Sequence, residues 1–165
     1  MPKQNIADPM LEWDETDPVG YRCGIFRPGP ELGAKATGSS LYVIPPGQSI
    51  CPYHWEAGEE EWLLVLVGRP TLREPSGETV LEPMDLCFFP AGPEGAHKVS
   101  NATDEEVRVF MYSELKLPGA SVYPDSDKVG VWIGGDRSED RMLRRTPNLE
   151  YFDGEDGAGT GEAGS

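Results

Sequence analysis

Apolar residues in this chain come in short runs, and nearly every run stops at a glycine, a proline or an asparagine. The runs are YRCGIF (21–26), SSLYVI (39–44), EWLLVLV (61–67), PTLRE (70–74), ETVLE (78–82), DLCFFP (85–90), EVRVFMYS (106–113) and, more weakly, KVGVWIG (128–134). IPPGQ, PSG, EPM, PAGPEG and NATDE separate them, each carrying a residue that turns require. Segments this short are strands rather than helices, and frequent punctuation between them favours an all-β sandwich or barrel. TLREPSGETVLE reads as a hairpin around Pro75-Ser76-Gly77. Two segments read as helical: one turn at ADPMLEW, with Asp8 as cap and Pro9 in the first position, and RSEDRMLRR (137–145), with acids early and arginines late.

At 165 residues the chain is long enough for one domain with a core that needs no disulfides. The three cysteines, Cys23, Cys51 and Cys87, are odd in number and widely spaced, so neither a disulfide framework nor a thiolate zinc site is indicated. A net charge of −15 argues against nucleic acid or an anionic membrane surface as partner. No apolar stretch reaches the length of a membrane span, and MPKQNIADPM lacks the apolar centre of a signal peptide, so a cytoplasmic location is expected. The end of the chain, DGEDGAGTGEAGS, has nothing to bury and is expected to be disordered.

The strand EWLLVLV is apolar on both faces: Leu63, Val65 and Val67 share one side, Trp62, Leu64 and Leu66 the other. Burial on both sides is expected, with the back of the strand against another sheet or subunit. Immediately before it stand His54, Glu56, Glu59, Glu60 and Glu61. His54 and Glu56 project to the same side of an extended segment, and Ala57-Gly58 allows Glu61 to rejoin that side on the next strand. Downstream, FPAGPEGAHKVSN holds the second of the two histidines, His97, with Asn101 four residues later.

These two segments resemble the signature of the cupin family, small β-barrel proteins many of which hold one metal ion inside the barrel. The first cupin motif, G-x5-H-x-H-x3,4-E-x6-G, is filled by Gly47, His54, Glu56, Glu61 and Gly68, with one extra residue after Gly47. The second, G-x5-P-x-G-x2-H-x3-N, is met by Met84 in the glycine place, then Pro90, Gly92, His97 and Asn101, with two extra residues before His97. CPYH, EEWLLVL, FPAGPEGAH and VYPDSDKVGVW also look like a group of compact bacterial cupins described only as cupin-domain proteins. The resemblance implies a double-stranded β-helix (jelly-roll) barrel over residues 38–115. An N-terminal arm with an added strand (1–37), a C-terminal extension (116–153) and the acidic tail (154–165) complete the expected layout. It also implies a homodimer.

By the same resemblance the metal ligands are His54, Glu56, Glu61 and His97, Glu56 replacing the second histidine of the first motif. Two imidazoles and two carboxylates lean toward Fe(II), Mn(II) or Zn(II). Two carboxylates also lower the Lewis acidity of the bound ion. Glu59 and Glu60 are expected in a solvated turn, and Trp55 and Trp62 in packing. No G-x-S-x-G elbow and no glycine-rich phosphate loop is present. The expectation is a small-molecule-binding cupin with one divalent metal, as a dioxygenase or an isomerase. The alternatives are a metal-free ligand sensor and a partner-binding protein without catalysis.

Overall fold

The computed structural model describes residues 1–134 and 137–155. In chain order the strands are β1 (Glu12–Trp13), β2 (Gly24–Phe26), β3 (Thr37–Ile44), β4 (Trp55–Glu56), β5 (Glu61–Val67), β6 (Thr71–Glu74) and β7 (Gly77–Val80). They continue as β8 (Leu86–Phe89), β9 (Lys98–Ser100), β10 (Val107–Glu114), β11 (Gly119–Tyr123), β12 (Lys128–Trp132) and β13 (Arg141–Arg144). One short helix, α1 (Gly29–Leu32), precedes β3 and ends on Gly33 in the left-handed conformation.

A six-stranded sheet, ordered β1-β2-β3-β10-β5-β8, packs against a three-stranded sheet (β7-β6-β9) and a four-stranded one (β13-β12-β11-β4). All pairings are antiparallel. The arrangement is the jelly-roll barrel expected from the sequence. Its centre is filled from facing sheets by Ile44, Leu63, Val65, Val107, Val109 and Phe89 on one side and Leu72 and Val99 on the other. Period-two alternation sets this choice: on β5, Leu63 and Val65 are fully buried and Glu61 shares their side, so the first residue of the strand points inward at the barrel's open end.

Several expectations are revised. RSEDRMLRR does not form a helix; Arg137–Glu139 is a single 3-10 turn and Arg141–Arg144 pairs with β12 from Lys128 to Val131. A helix there would have no apolar stripe to bury, whereas β12 offers an open edge whose backbone groups β13 satisfies. No helical turn forms at ADPMLEW. Glu12 and Trp13 instead pair with β2, and the Trp13 ring lies where a Cβ on Gly24 would be, 2.7 Å from its Cζ2. The outer face of β5 is only half covered: Leu64 and Leu66 are half-buried and Trp62 is 40% exposed, its ring 4.7 Å from that of Phe88. From Asp156 onward the acidic tail lies outside the described residues.

Turn chemistry explains the motif glycines. Gly68 ends β5 at φ +78°, and a Cβ there would stand 2.8 Å from Val107 Cγ2 and 2.9 Å from the Glu106 carbonyl oxygen. Met84, in the glycine place of the second motif, also has positive φ, 77°. Its amide donates to the Val65 carbonyl at 2.8 Å, which fixes the turn into β8. Asn101 is a staple rather than a site residue. Its side-chain amide donates to the carbonyls of Ile44 (2.8 Å) and Glu105 (2.6 Å), and its Oδ1 accepts from the Thr103 amide (2.9 Å).

Leu63→Ala, at full burial, is expected to destabilise by about 2–5 kcal/mol in denaturant unfolding, and Val80→Ala, half exposed on an outer strand, by less than about 0.5 kcal/mol. Met84→Gly is expected to stabilise the fold by about 0.5–1 kcal/mol, because relief of the left-handed strain exceeds the entropy that glycine adds to the unfolded chain.

Candidate metal centre

His54 and His97 face each other across an isolated antiparallel bridge. The His54 amide donates to the His97 carbonyl at 3.1 Å, and the His97 amide returns the bond to the His54 carbonyl at 2.8 Å. This reciprocal pair sets two residues from distant segments directly opposite each other, ring centroids 4.8 Å apart. The two extra residues before His97 are absorbed by a 3-10 turn, Pro93–Gly95. Gly95 there lies so close to the Pro90 carbonyl that a Cβ would meet its oxygen at 1.8 Å.

Each imidazole is oriented through its inner nitrogen. His54 Nδ1 lies 3.0 Å from the Pro52 carbonyl oxygen and His97 Nδ1 lies 2.9 Å from that of Gly95. Carbonyl oxygens only accept, so Nδ1 carries the proton in both rings and Nε2 presents a lone pair. His97 is further fixed by stacking on Phe89 at 3.8 Å, and His54 by stacking on Tyr123 at 5.6 Å. His97 Nε2 is buried and has no hydrogen-bond partner among the described residues; Glu61 Oε2 stands 3.6 Å away. Ligand atoms of His54, Glu61 and His97 all lie within 4.8 Å of one another.

Burial dominates the electrostatics. It lowers the His97 pKa to about 4, with a smaller contribution from His54, and lowers that of His54 as well. It raises Glu61 to about 7, with further contributions from Glu56 and Glu59. Two neutral imidazoles aim lone pairs at a space beside a carboxylate that resists ionisation. An unpartnered buried acceptor of this kind is destabilising, and a divalent cation satisfies both nitrogens and the carboxylate together. The residues therefore fit a metal ion.

Glu56 stands beside this group, not within it. Its Oε1 is 3.5 Å from His54 Nε2, but both carboxylate oxygens lie 2.7 Å from the Ser121 hydroxyl. Burial raises its pKa to about 7 against the Ser121 hydrogen bond. Glu59 and Glu60 are turned to the loop side: Glu59 Oε1 accepts from the Lys116 amide at 2.6 Å, and the Glu60 amide donates to Glu114 Oε2 at 3.3 Å. Ser121, Tyr123 and Trp132 escaped sequence reasoning. The one signal was the run VYPDSDKVGVW, where Gly130 two residues before Trp132 leaves space for an indole ring.

Residues 40–113 match the family model of the cupin domain. That segment is a cupin domain. No curated protein matches it. Among solved structures it is similar to a sugar phosphate isomerase of the cupin superfamily from Silicibacter pomeroyi (22% identity, TM-score 0.76, covering 92% of this chain and 98% of that one). A candidate sugar phosphate isomerase from Acidithiobacillus ferrooxidans is also similar (25%, 0.69, 75% and 77%). So is the polyketide cyclase RemF from Streptomyces resistomycificus (18%, 0.58, 70% and 80%). At 22% and 18% identity two of these establish the fold alone. Among the described residues no helix is long and apolar enough to cross a membrane.

The pKa shifts give a signed prediction for the metal-free protein. Glu56 and Glu61, raised from 4.5 to about 7, keep protons that the unfolded chain loses, so stability falls as pH rises through that window. The lowered histidines act oppositely below their usual value of 6.5 and offset the loss there. The net fall therefore lies between about pH 6.5 and just above 7. Thermal melts in chelator should show it, and Glu61→Gln should make it shallower.

Proposed function

We propose that this cupin holds one divalent ion, Fe, Mn or Zn, through His54, Glu61 and His97, and binds a small molecule next to it. The observation that carries this reading is the buried, unpartnered Nε2 of His97, converging with His54 and Glu61 on one point. When bound, the ion supplies Lewis-acid polarisation of a carbonyl or, as iron, one-electron chemistry with dioxygen. A cavity of about 290 Å³ reaches Glu61 and is lined by Arg27, Ser40, Tyr42, Met111 and Ser113. Its hydroxyls and single guanidinium suit a small polar ligand with an anionic group, Arg27 exchanging its contact with Glu12 for the ligand.

Isomerisation or a related proton transfer next to a carbonyl is the favoured reaction. Such a reaction needs a base close to the polarised carbonyl; Glu56, 3.5 Å from His54 Nε2 and with its pKa raised to about 7 by burial, is the candidate for that role. A second reading, dioxygenation, is supported by the donor set of two histidines and one carboxylate with open positions, which suits non-haem iron. The apolar outer patch of Trp62, Leu86 and Phe88 is where a second copy of the chain docks, giving a homodimer.

Plasma mass spectrometry of protein purified without a metal column tests the reading. Near-stoichiometric Fe, Mn or Zn is expected in the wild type, with loss in His97→Ala and Glu61→Gln. A wild-type protein that takes up none of these ions after incubation would remove the metalloenzyme and leave a metal-free binding barrel.

A further inference from the structure

A chain of hydrogen bonds enters the site from outside the cupin domain. Trp132 Nε1 lies 2.7 Å from Ser121 Oγ, and Ser121 Oγ lies 2.7 Å from both oxygens of Glu56. Its direction is fixed by chemistry. An indole N–H only donates, so the Ser121 oxygen accepts from Trp132, and an ionised Glu56 only accepts, so the Ser121 hydroxyl donates to that carboxylate. Ser121 is 2% exposed, which keeps competing water away. The relay is also built into the hairpin: β11 pairs with β12 along its full length, and Ser121 is the register partner of both Gly130 and Glu56. Gly130 is required there, because a Cβ would stand 2.6 Å from Trp132 Cζ2 and push the indole aside.

We infer that Ser121 and Trp132 are positioning residues that hold the Glu56 carboxylate beside the three-residue metal group and out of it. The inference rests on the metal-site reading above. It separates two carboxylates that sequence alone treats as equivalent. Among the described residues no hydroxyl donates to Glu61, whose Oε2 stands 3.6 Å from His97 Nε2. Glu56 is turned to Ser121, with its nearer oxygen still 3.5 Å from His54 Nε2. There it accepts a hydrogen bond or a proton from a ligand lying against His54. Without the Ser121 donor, a carboxylate at that distance has nothing to keep it from joining the ion.

Co(II) is the probe, because its visible absorption reports coordination number and its affinity is measured on the same samples. The wild type, Glu56→Gln, Glu61→Gln, Ser121→Ala, Ser121→Thr and the Ser121→Ala/Glu56→Gln double variant are compared as full chains. The expected result is a wild-type spectrum and affinity for Glu56→Gln. Glu61→Gln should lose more than the roughly 10–100-fold that outer partners of a metal site contribute. Ser121→Ala should change the spectrum and bind more tightly, the double variant should cancel that change, and Ser121→Thr, which keeps the donor, should restore the wild-type spectrum. Should Ser121→Ala fail to fold, Trp132→Phe and Gly130→Ala displace the relay from its far end and should shift the spectrum the same way. The inference is overturned if Glu56→Gln alone alters the spectrum and weakens binding as Glu61→Gln does, or if loss of the relay leaves the spectrum unchanged. If the wild type binds no Co(II), the metal reading itself has failed, and this inference goes with it.

Discussion

The site depends on one backbone contact, the reciprocal hydrogen-bond pair between His54 and His97. It joins the segment that enters β4 to the segment that enters β9, and so the four-stranded sheet to the three-stranded one. Because the two residues exchange both bonds, their side chains emerge together on one side. The carbonyls of Pro52 and Gly95, each two residues before its histidine, then take the Nδ1 protons. Four backbone oxygens thus determine the position and the tautomer of both rings. Little is left to rotamer freedom, which is the condition for a preorganised cation site.

The same burial that orders the rings makes the metal-free site uncomfortable. Two neutral imidazoles point lone pairs at each other's vicinity, and two carboxyls beside them hold protons up to about pH 7. Filling that space with leucines would have been more stable, and the core immediately below, at Leu63 and Val65, does so. Polar groups kept there against their solvation preference mark a place where a ligand completes the structure. The strained Met84 turn is different: it is exposed, lies away from the site, and has only a modest energetic consequence.

The layers of the protein contribute unequally. The barrel strands β3, β5, β8 and β10 supply the wall and the inward Glu61. The loop around Gly92–Gly95 supplies His97, with Gly92 at a positive φ and Gly95 where backbone approaches backbone. The C-terminal hairpin, outside the matched cupin segment, supplies Ser121, Tyr123 and Trp132, and so decides what Glu56 can do. A function carried by the family alone would miss this last part.

Much of the fold was legible before any coordinates, since EWLLVLV, SSLYVI and EVRVFMYS announce strands by length and punctuation, and strand parity places Glu61 with Leu63 and Val65. His54 and His97 were legible too, through their spacing to Gly68 and Asn101. RSEDRMLRR was misleading because its charge pattern suits a helix, while the open edge of β12 decided in favour of a strand. Local sequence thus determined which segments extend and which side chains turn inward, because alternation and turn chemistry act over a few residues. The tertiary structure alone decided that Glu56, beside His54, also meets Ser121, because that hydrogen bond joins positions 65 residues apart, and no local pattern encodes such a meeting.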